Sequence, residues 1–374
     1  MVQVTPTVPP VSPGPNATFT PVDAAYVIIT NGVSVISIIG NLVIVGCYYM
    51  YHDIRTTGRK LLVCLSVANF IMCIAALLQA ATFYKSTERV LQERSVLCET
   101  AALFTVYAHT AMCLWTDAIG FYLFLCVTLR FIVVANRVTW LFHVFSWIMP
   151  AVVAFSAGAS DVYGYDDTFL RKHRRPAPCW ISDRVSNKMD WYFVTIEGWT
   201  LASYLASVLL FVVITCSVNC QAIKKVDREY VIEDMAIQTA NKQLRYIPII
   251  FICLRIWGTL YFLCVQYGTA RAVDLFADWL LIAKAVGDNS IGLANCLLFL
   301  LSIKAMRKRI ARWFSERCKG KVSVPENWRP SIIVRRMKKR KDTGLDLSGI
   351  SLDFPTNEDS SSIVDDDILF EREV

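Results

Sequence analysis

One stretch limits the fold more than any other. From Ala101 to Val134 the chain is almost unbroken apolar sequence, bracketed by Cys98 and Arg137. As a helix, the part from Cys98 to Arg130 would be about 50 Å long, while a bilayer's hydrocarbon core is only about 30 Å thick. Such a helix must tilt or protrude, and a long tilted helix touches several neighbours. It reads as the third of seven membrane spans and as the pillar the others pack on.

Composition agrees. At 55% hydrophobic and 12% aromatic residues with a mean hydropathy of +0.43, the chain is too apolar for an ordinary soluble domain. Its charge is segregated into short polar gaps and the C-terminal region, so the net +7 points to a cytoplasmic face rather than to nucleic acid. Most of the 13 cysteines sit inside apolar runs, where they pack as small residues. His52, His109, His143 and His173 have no metal-site spacing. No nucleophile elbow, zincin, phosphate-loop or dinucleotide motif is present, so neither an enzyme nor a cofactor is expected.

Residues 1–25 form an outer segment that lacks the basic n-region of a signal peptide. Within it, Asn16-Ala17-Thr18 is an N-glycosylation sequon, used or unused, that has meaning only if this end faces outward. The seven-transmembrane domain is expected over 26–303. Its spans run Tyr26–Tyr51, Leu61–Tyr84, Cys98–Arg130, Thr139–Ala159 with a kink at Pro150, Trp191–Val218, Leu244–Gln266 with a weak point at Pro248, and Leu275–Ser302. With the N-terminus outside, 18 Lys and Arg fall on the inner side against 10 on the outer side, which fixes that orientation. Over 304–318, bases alternate with Ile303, Met306, Ile310, Trp313 and Phe314 at helical spacing, which predicts a short amphipathic helix along the inner membrane surface. Cys318 ends it, either palmitoylated or a plain thiol. The tail, 319–374, holds a basic run at Val334–Lys341 and an acidic, Ser-rich run at Asn357–Asp367, and is expected to be disordered. The fold class is therefore an all-α membrane protein: a seven-helix bundle with a surface helix and a disordered tail.

Several local patterns resemble G-protein-coupled receptors of the secretin-type and cyclic-AMP-receptor-like branches. They are Trp115, Gly120, Tyr122 and Leu123 in the third span, Trp147 followed by Pro150 in the fourth, Cys179-Trp180-Ile181 in the second outer loop, and Leu244 to Phe251 in the sixth. Leu254-Arg255-Ile256-Trp257 and Ala294-Asn295-Cys296 are similar to the orphan G-protein-coupled receptor one-five-seven group. The likeness covers about 26–315. Ile119 stands where secretin-type receptors carry a third-helix Glu, and residues 1–25 offer no Cys-rich hormone-binding region. Gly40-Asn41 and Leu65 to Asn69 resemble rhodopsin-like helices, with Asn69 at a usual Asp position. The resemblance implies a plasma-membrane receptor that senses an extracellular ligand and activates a heterotrimeric G protein. A seven-helix transporter or channel is the alternative, though no internal repeat supports it.

Matching positions at the top of the third span and in the long outer loop predict a Cys98–Cys179 disulfide. Ionisable groups inside spans are costly and mark function by default. Counted along the helices, Asp117, Arg255 and Asp288 come out roughly 16–21 Å above the inner end, so they could form one ionic cluster, structural or functional. Glu197, Lys284 and Trp180 fall in the outer half and are the expected ligand-binding residues. A seventh-span lysine also permits a retinal Schiff base, but nothing else supports an opsin. On the inner face, Arg130, Arg137, Lys242 and Arg245 are the expected G-protein contacts. Phosphorylation of Ser360, Ser361 and Ser362 beside Asp359 and Asp365–Asp367 would build an anionic patch for an arrestin; a solvated tail without a partner is the alternative.

Overall fold

Thr20 starts the helical bundle. In a computed structural model, which describes residues 20–85, 95–165, 179–182, 184–224, 244–303, 306, 307, 309, 312 and 315, Thr20 and Asp23 cap each other. The Asp23 amide donates to the Thr20 hydroxyl at 3.2 Å, and the Thr20 amide donates to Asp23 Oδ2 at 2.9 Å. Pro21 takes the first helical position, where its missing N–H costs nothing. Helix α1 thus runs Pro21–Met50, and the start expected at Tyr26 is corrected by that capping box. The chain divides into two units, Met1–Arg307 and Lys308–Val374, and the first holds the bundle. Asn16, Lys242, Cys318, Ser360, Ser361 and Ser362 lie outside the described residues, as do the tail 319–374 and most of 304–318.

The remaining helices are α2 (Thr57–Lys85), α3 (Val96–Leu123), α4 (Ile132–Ala159), α5 (Lys188–Tyr192), α6 (Gly198–Lys224), α7 (Ile247–Tyr267) and α8 (Ala270–Ser302). A π turn, Phe124–Thr128, extends α3, and a second, Phe193–Glu197, joins α5 to α6 in one rod. Among the described residues, six of these rods are long and apolar enough to cross a membrane. The described part of helix α8 falls short of that, because Lys284, Asp288, Asn289 and Asn295 dilute its apolar run. Between α4 and α5, strand β1 (Tyr163–Tyr165) pairs antiparallel with β2 (Cys179–Ile181), with Gly164 opposite Trp180.

Helix α3 is the most enclosed: 72% of its apolar window is buried, against 17% for Lys188–Cys220. Trp115, Ile119 and Leu123 on α3 join Ile44, Leu61, Leu65 and Phe251 from three other helices in the main core. Trp115 meets Trp147 of α4 edge-on at 5.4 Å. The C-terminal end of α3 closes with Arg130 at φ 58, and the Phe131 amide reaches back to the Leu125 carbonyl at 3.0 Å.

Close helix approaches rest on glycine. A Cβ at Gly287 would lie 2.1 Å from the Leu254 carbonyl oxygen, so α8 and α7 meet backbone to side. A Cβ at Gly292 would lie 2.5 Å from Asn69 Oδ1. There Asn41 donates to Asn69 at 2.9 Å, while Ser37 donates to the Asn289 carbonyl, joining α1, α2 and α8 through buried amides.

One proline expectation stays as it was and one changes. Helix α4 runs on through Pro150 as one helix, with the proline in its interior where a kink is expected. Pro248 sits in the first turn of α7, directly after a 3₁₀ turn at Leu244–Tyr246, where no intrahelical N–H is lost. It marks a junction of two helix types rather than a bend one turn inside a helix.

Candidate functional site

A bridge anchors the β-ribbon over the bundle. Cys98, in the first turn of α3, is disulfide-bonded to Cys179 of β2, with Cα atoms 5.3 Å apart. Gln79 of α2 donates to the Cys179 carbonyl at 2.6 Å and to Thr105 of α3 at 3.3 Å. Trp180 packs on Tyr192 with ring centroids 4.5 Å apart and the planes tilted by 42°, and Phe262 meets Tyr192 edge-on at 5.5 Å. These rings roof a cavity of about 190 Å³ whose walls come from α1, α2, α3, β2, α6, α7 and α8.

The expected ligand-binding residues Trp180, Glu197 and Lys284 all line this cavity. Glu197 is buried at the end of the π turn. A π turn inserts one residue and rotates the rest of the helix about its axis; Gly198 permits it, since a Cβ there would lie 2.6 Å from the Phe193 carbonyl oxygen. Lys284 places its ammonium 5.3 Å from the Tyr261 ring centroid, and Glu197 lies within its electrostatic reach.

The cavity floor is ionic. Arg255 Nη1 sits 3.6 Å from Asp288 Oδ1, an ion pair beyond hydrogen-bond reach, and Arg255 is only 4% exposed. Arg255 Nη2 also contacts His109 Nδ1. His109 Nε2 lies 2.7 Å from the Thr200 hydroxyl, which donates to the Ile196 carbonyl at 3.0 Å. Arginine has no acceptor, so Arg255 donates to His109, whose Nδ1 and Nε2 both lie within reach of Nη2. With Nδ1 accepting from Arg255, Nε2 carries the proton and faces the Thr200 hydroxyl, which donates to the Ile196 carbonyl in the π turn. A polar relay therefore runs from α8 through α7 and α3 to the residue before Glu197.

Asp117 does not contact Arg255 among the described bonds. Its Oδ1 accepts from Ser203 of α6 at 2.9 Å, so the three-charge cluster resolves into an Arg255–Asp288 pair and a separate Asp117–Ser203 bond. Sequence reasoning misses His109, Asp23 and Gln79 as site residues. His109 is a polar residue inside a span, which is itself a signal; the Thr20-x-x-Asp23 spacing is the signal for Asp23. At the opposite end of the bundle, Arg130 and Arg137 are exposed, and Arg245 donates to the Tyr246 hydroxyl at 2.8 Å. Among the described residues, no cluster of His, Cys, Asp or Glu could hold a metal ion.

Comparison with known proteins matches residues 22–279 to the family described as 7 transmembrane receptor (Secretin family). The chain is 28% identical over 307 residues to G-protein coupled receptor 157 of Mus musculus, covering 80% of this chain and 88% of that protein. The Homo sapiens counterpart is 27% identical over 285 residues, covering 74% and 80%. Among solved structures, squid rhodopsin superimposes with a TM-score of 0.60 at 14% identity, covering 91% of this chain and 98% of that one. At that identity the likeness speaks for the fold alone.

Proposed function

Because the chain belongs to the secretin family of seven-transmembrane receptors, we propose that this G-protein-coupled receptor takes an extracellular ligand in the cavity under β2. The protein then sits in the plasma membrane with its N-terminus outside, and α8 is the seventh crossing. Ligand binding activates a heterotrimeric G protein at the far end of the bundle. The observation that carries this reading is the cavity floor. Arg255, His109 and Asp288 belong to three different helices, and their relay ends beside Glu197 in the cavity wall. A ligand that displaces Arg255 or Glu197 changes how α3, α6, α7 and α8 are held, and so biases two arrangements of the bundle. The transporter or channel alternative draws no support from the family match.

Arg130, Arg137 and Arg245, joined by Lys242, are the basic contacts for a Gα C-terminal helix in a helix-in-groove mode. Phosphorylation of Ser360, Ser361 and Ser362 recruits an arrestin to the C-terminal tail. Cys318 palmitoylation anchors the chain there to lipid, and Asn16 carries a glycan.

The test is nucleotide exchange on purified G protein with the receptor in nanodiscs, run with ligands found in a second-messenger screen. Ala76→Trp, which fills the cavity, is expected to abolish ligand-driven exchange while basal exchange persists. Ligand-driven exchange at full potency in that variant would move the ligand site elsewhere.

A further inference from the structure

We propose that the cavity's ligand is a small organic cation, an amine with a compact aromatic or apolar body, whose ammonium is received by Asp23. The inference rests on the cavity being the receptor's ligand site and adds the chemical class of what enters it.

Five charged side chains line the cavity: Asp23, Glu197, Asp288, Arg255 and Lys284. Arg255 is engaged by Asp288, and Lys284 and Glu197 lie within each other's electrostatic reach. Among the described residues, Asp23 is left without a cation. It is fully buried, and its two oxygens differ. Oδ2 accepts from the Thr20 amide at 2.9 Å and from the Thr20 hydroxyl at 2.7 Å, which accounts for its capping role. Oδ1 is buried with no hydrogen-bond partner. A cap needs one oxygen, so capping does not explain the second. A buried carboxylate oxygen left unpaired is costly, and the helix N-terminus beside it favours negative charge at this place. An ammonium supplies both the missing donor and the missing charge.

The rest of the cavity selects the body of that ligand. Trp180, Tyr192 and Phe262 present ring faces and edges, which suit an aromatic or apolar group and the flank of an ammonium. The Trp180 indole N–H is also buried without a partner, so it can donate to one acceptor on the ligand. A cavity of about 190 Å³ has room for a compact molecule.

Full-length receptor in nanodiscs, immobilised for surface plasmon resonance, tests this with three arylalkylamines: phenethylamine, N-methylphenethylamine and tryptamine. Their matched neutral and anionic probes are 2-phenylethanol and 3-phenylpropanoate. The amines are expected to bind saturably and at least about tenfold more tightly than the alcohol or the carboxylate. Asp23→Asn retains an acceptor for Thr20 and removes the charge. It is expected to weaken amine binding about 10- to 100-fold, with thermal unfolding unchanged. Equal binding of the neutral or anionic probe, undiminished amine binding by Asp23→Asn, or no saturable amine binding below about 1 mM overturns the proposal. If Asp23→Asn misfolds, the wild-type comparison across probe charge decides alone. Amines that bind without changing nucleotide exchange leave the cation site standing and overturn the receptor reading of the cavity. Exchange driven by a ligand whose potency Asp23→Asn leaves unmoved does the reverse.

Discussion

Arg255 is the side chain on which the bundle's polar interior is most exposed to perturbation. Replacing it with Ala removes the cation facing Asp288, which is itself only 13% exposed, and leaves His109 Nδ1 without a donor. Breaking a buried pair by deleting one partner typically costs about 3–5 kcal/mol, because the surviving charge is stranded. The unmet His109 acceptor adds roughly 1 kcal/mol or more. At roughly 2 °C per kcal/mol for a chain of this size, Arg255→Ala should unfold roughly 8–12 °C below the wild type. Asp288→Ala strands Arg255 and should cost a similar amount. The double variant Arg255→Leu/Asp288→Leu leaves no charge behind and should recover most of the loss, since apolar replacement of a buried pair is often neutral or stabilising. Arg255→Lys should fall between, because a point ammonium cannot serve both Asp288 and His109. The assay is thermal unfolding of detergent-solubilised receptor read by thiol-reactive dye, with surface expression alongside. If the two single losses simply add in a double-mutant cycle, Arg255 and Asp288 are not coupled and the ionic floor is wrong.

The same geometry sets three further outcomes. Cys98→Ala or Cys179→Ala opens a loop of 81 residues and should cost about 4–5 kcal/mol on the chain-entropy estimate; peptide mapping that finds either thiol free in the mature protein would refute the bridge. Gly287→Ala places a methyl group 2.1 Å from the Leu254 carbonyl and should abolish surface expression, whereas Gly32→Ala, with nothing within 4 Å, should be neutral or gain about 0.5–1 kcal/mol in helix propensity. Flow cytometry of the two variants at equal transcript level separates them. Arg130→Ala or Arg245→Ala should suppress nucleotide exchange while leaving surface level intact; normal exchange in both variants would leave these bases as membrane anchors only.

The parts legible in the sequence are those that depend on position along a helix. Apolar runs mark the spans because length and hydropathy are one-dimensional, and Arg255 and Asp288 can be set at one depth because rise per residue is constant. Azimuth is different. Depth puts Asp117 level with Arg255, yet each residue turns the helix by about 100°, and Asp117 faces Ser203 of α6 instead. Glu197 is harder still, since its direction is set by a π turn that no periodicity announces and that only the close Gly198 backbone hints at. Sequence patterning finds the Cys98–Cys179 bridge through the positions of the two residues, but not Gln79, which holds the same strand by its carbonyl.

The departures share one cause: a neutral or terminal residue carries no visible cost until the fold supplies its partner. In the sequence His109 offers only the general signal of a polar residue in a span, because a neutral imidazole needs no counter-ion and its role appears once Arg255 is brought beside it. Asp23 falls in the outer segment by sequence because a carboxylate at a membrane edge is unexceptional when solvated; in the fold it is buried, with one oxygen capped and the other unmet among the described residues. Pro248 reads as a weak point because proline inside a helix breaks a hydrogen bond, and that inference fails once the α-helix begins at Ile247. A bend at the N-terminal end of α7 therefore cannot depend on a missing bond at Pro248. The weaker bond geometry there belongs instead to the 3₁₀ turn at Leu244–Tyr246, which holds Arg245 itself.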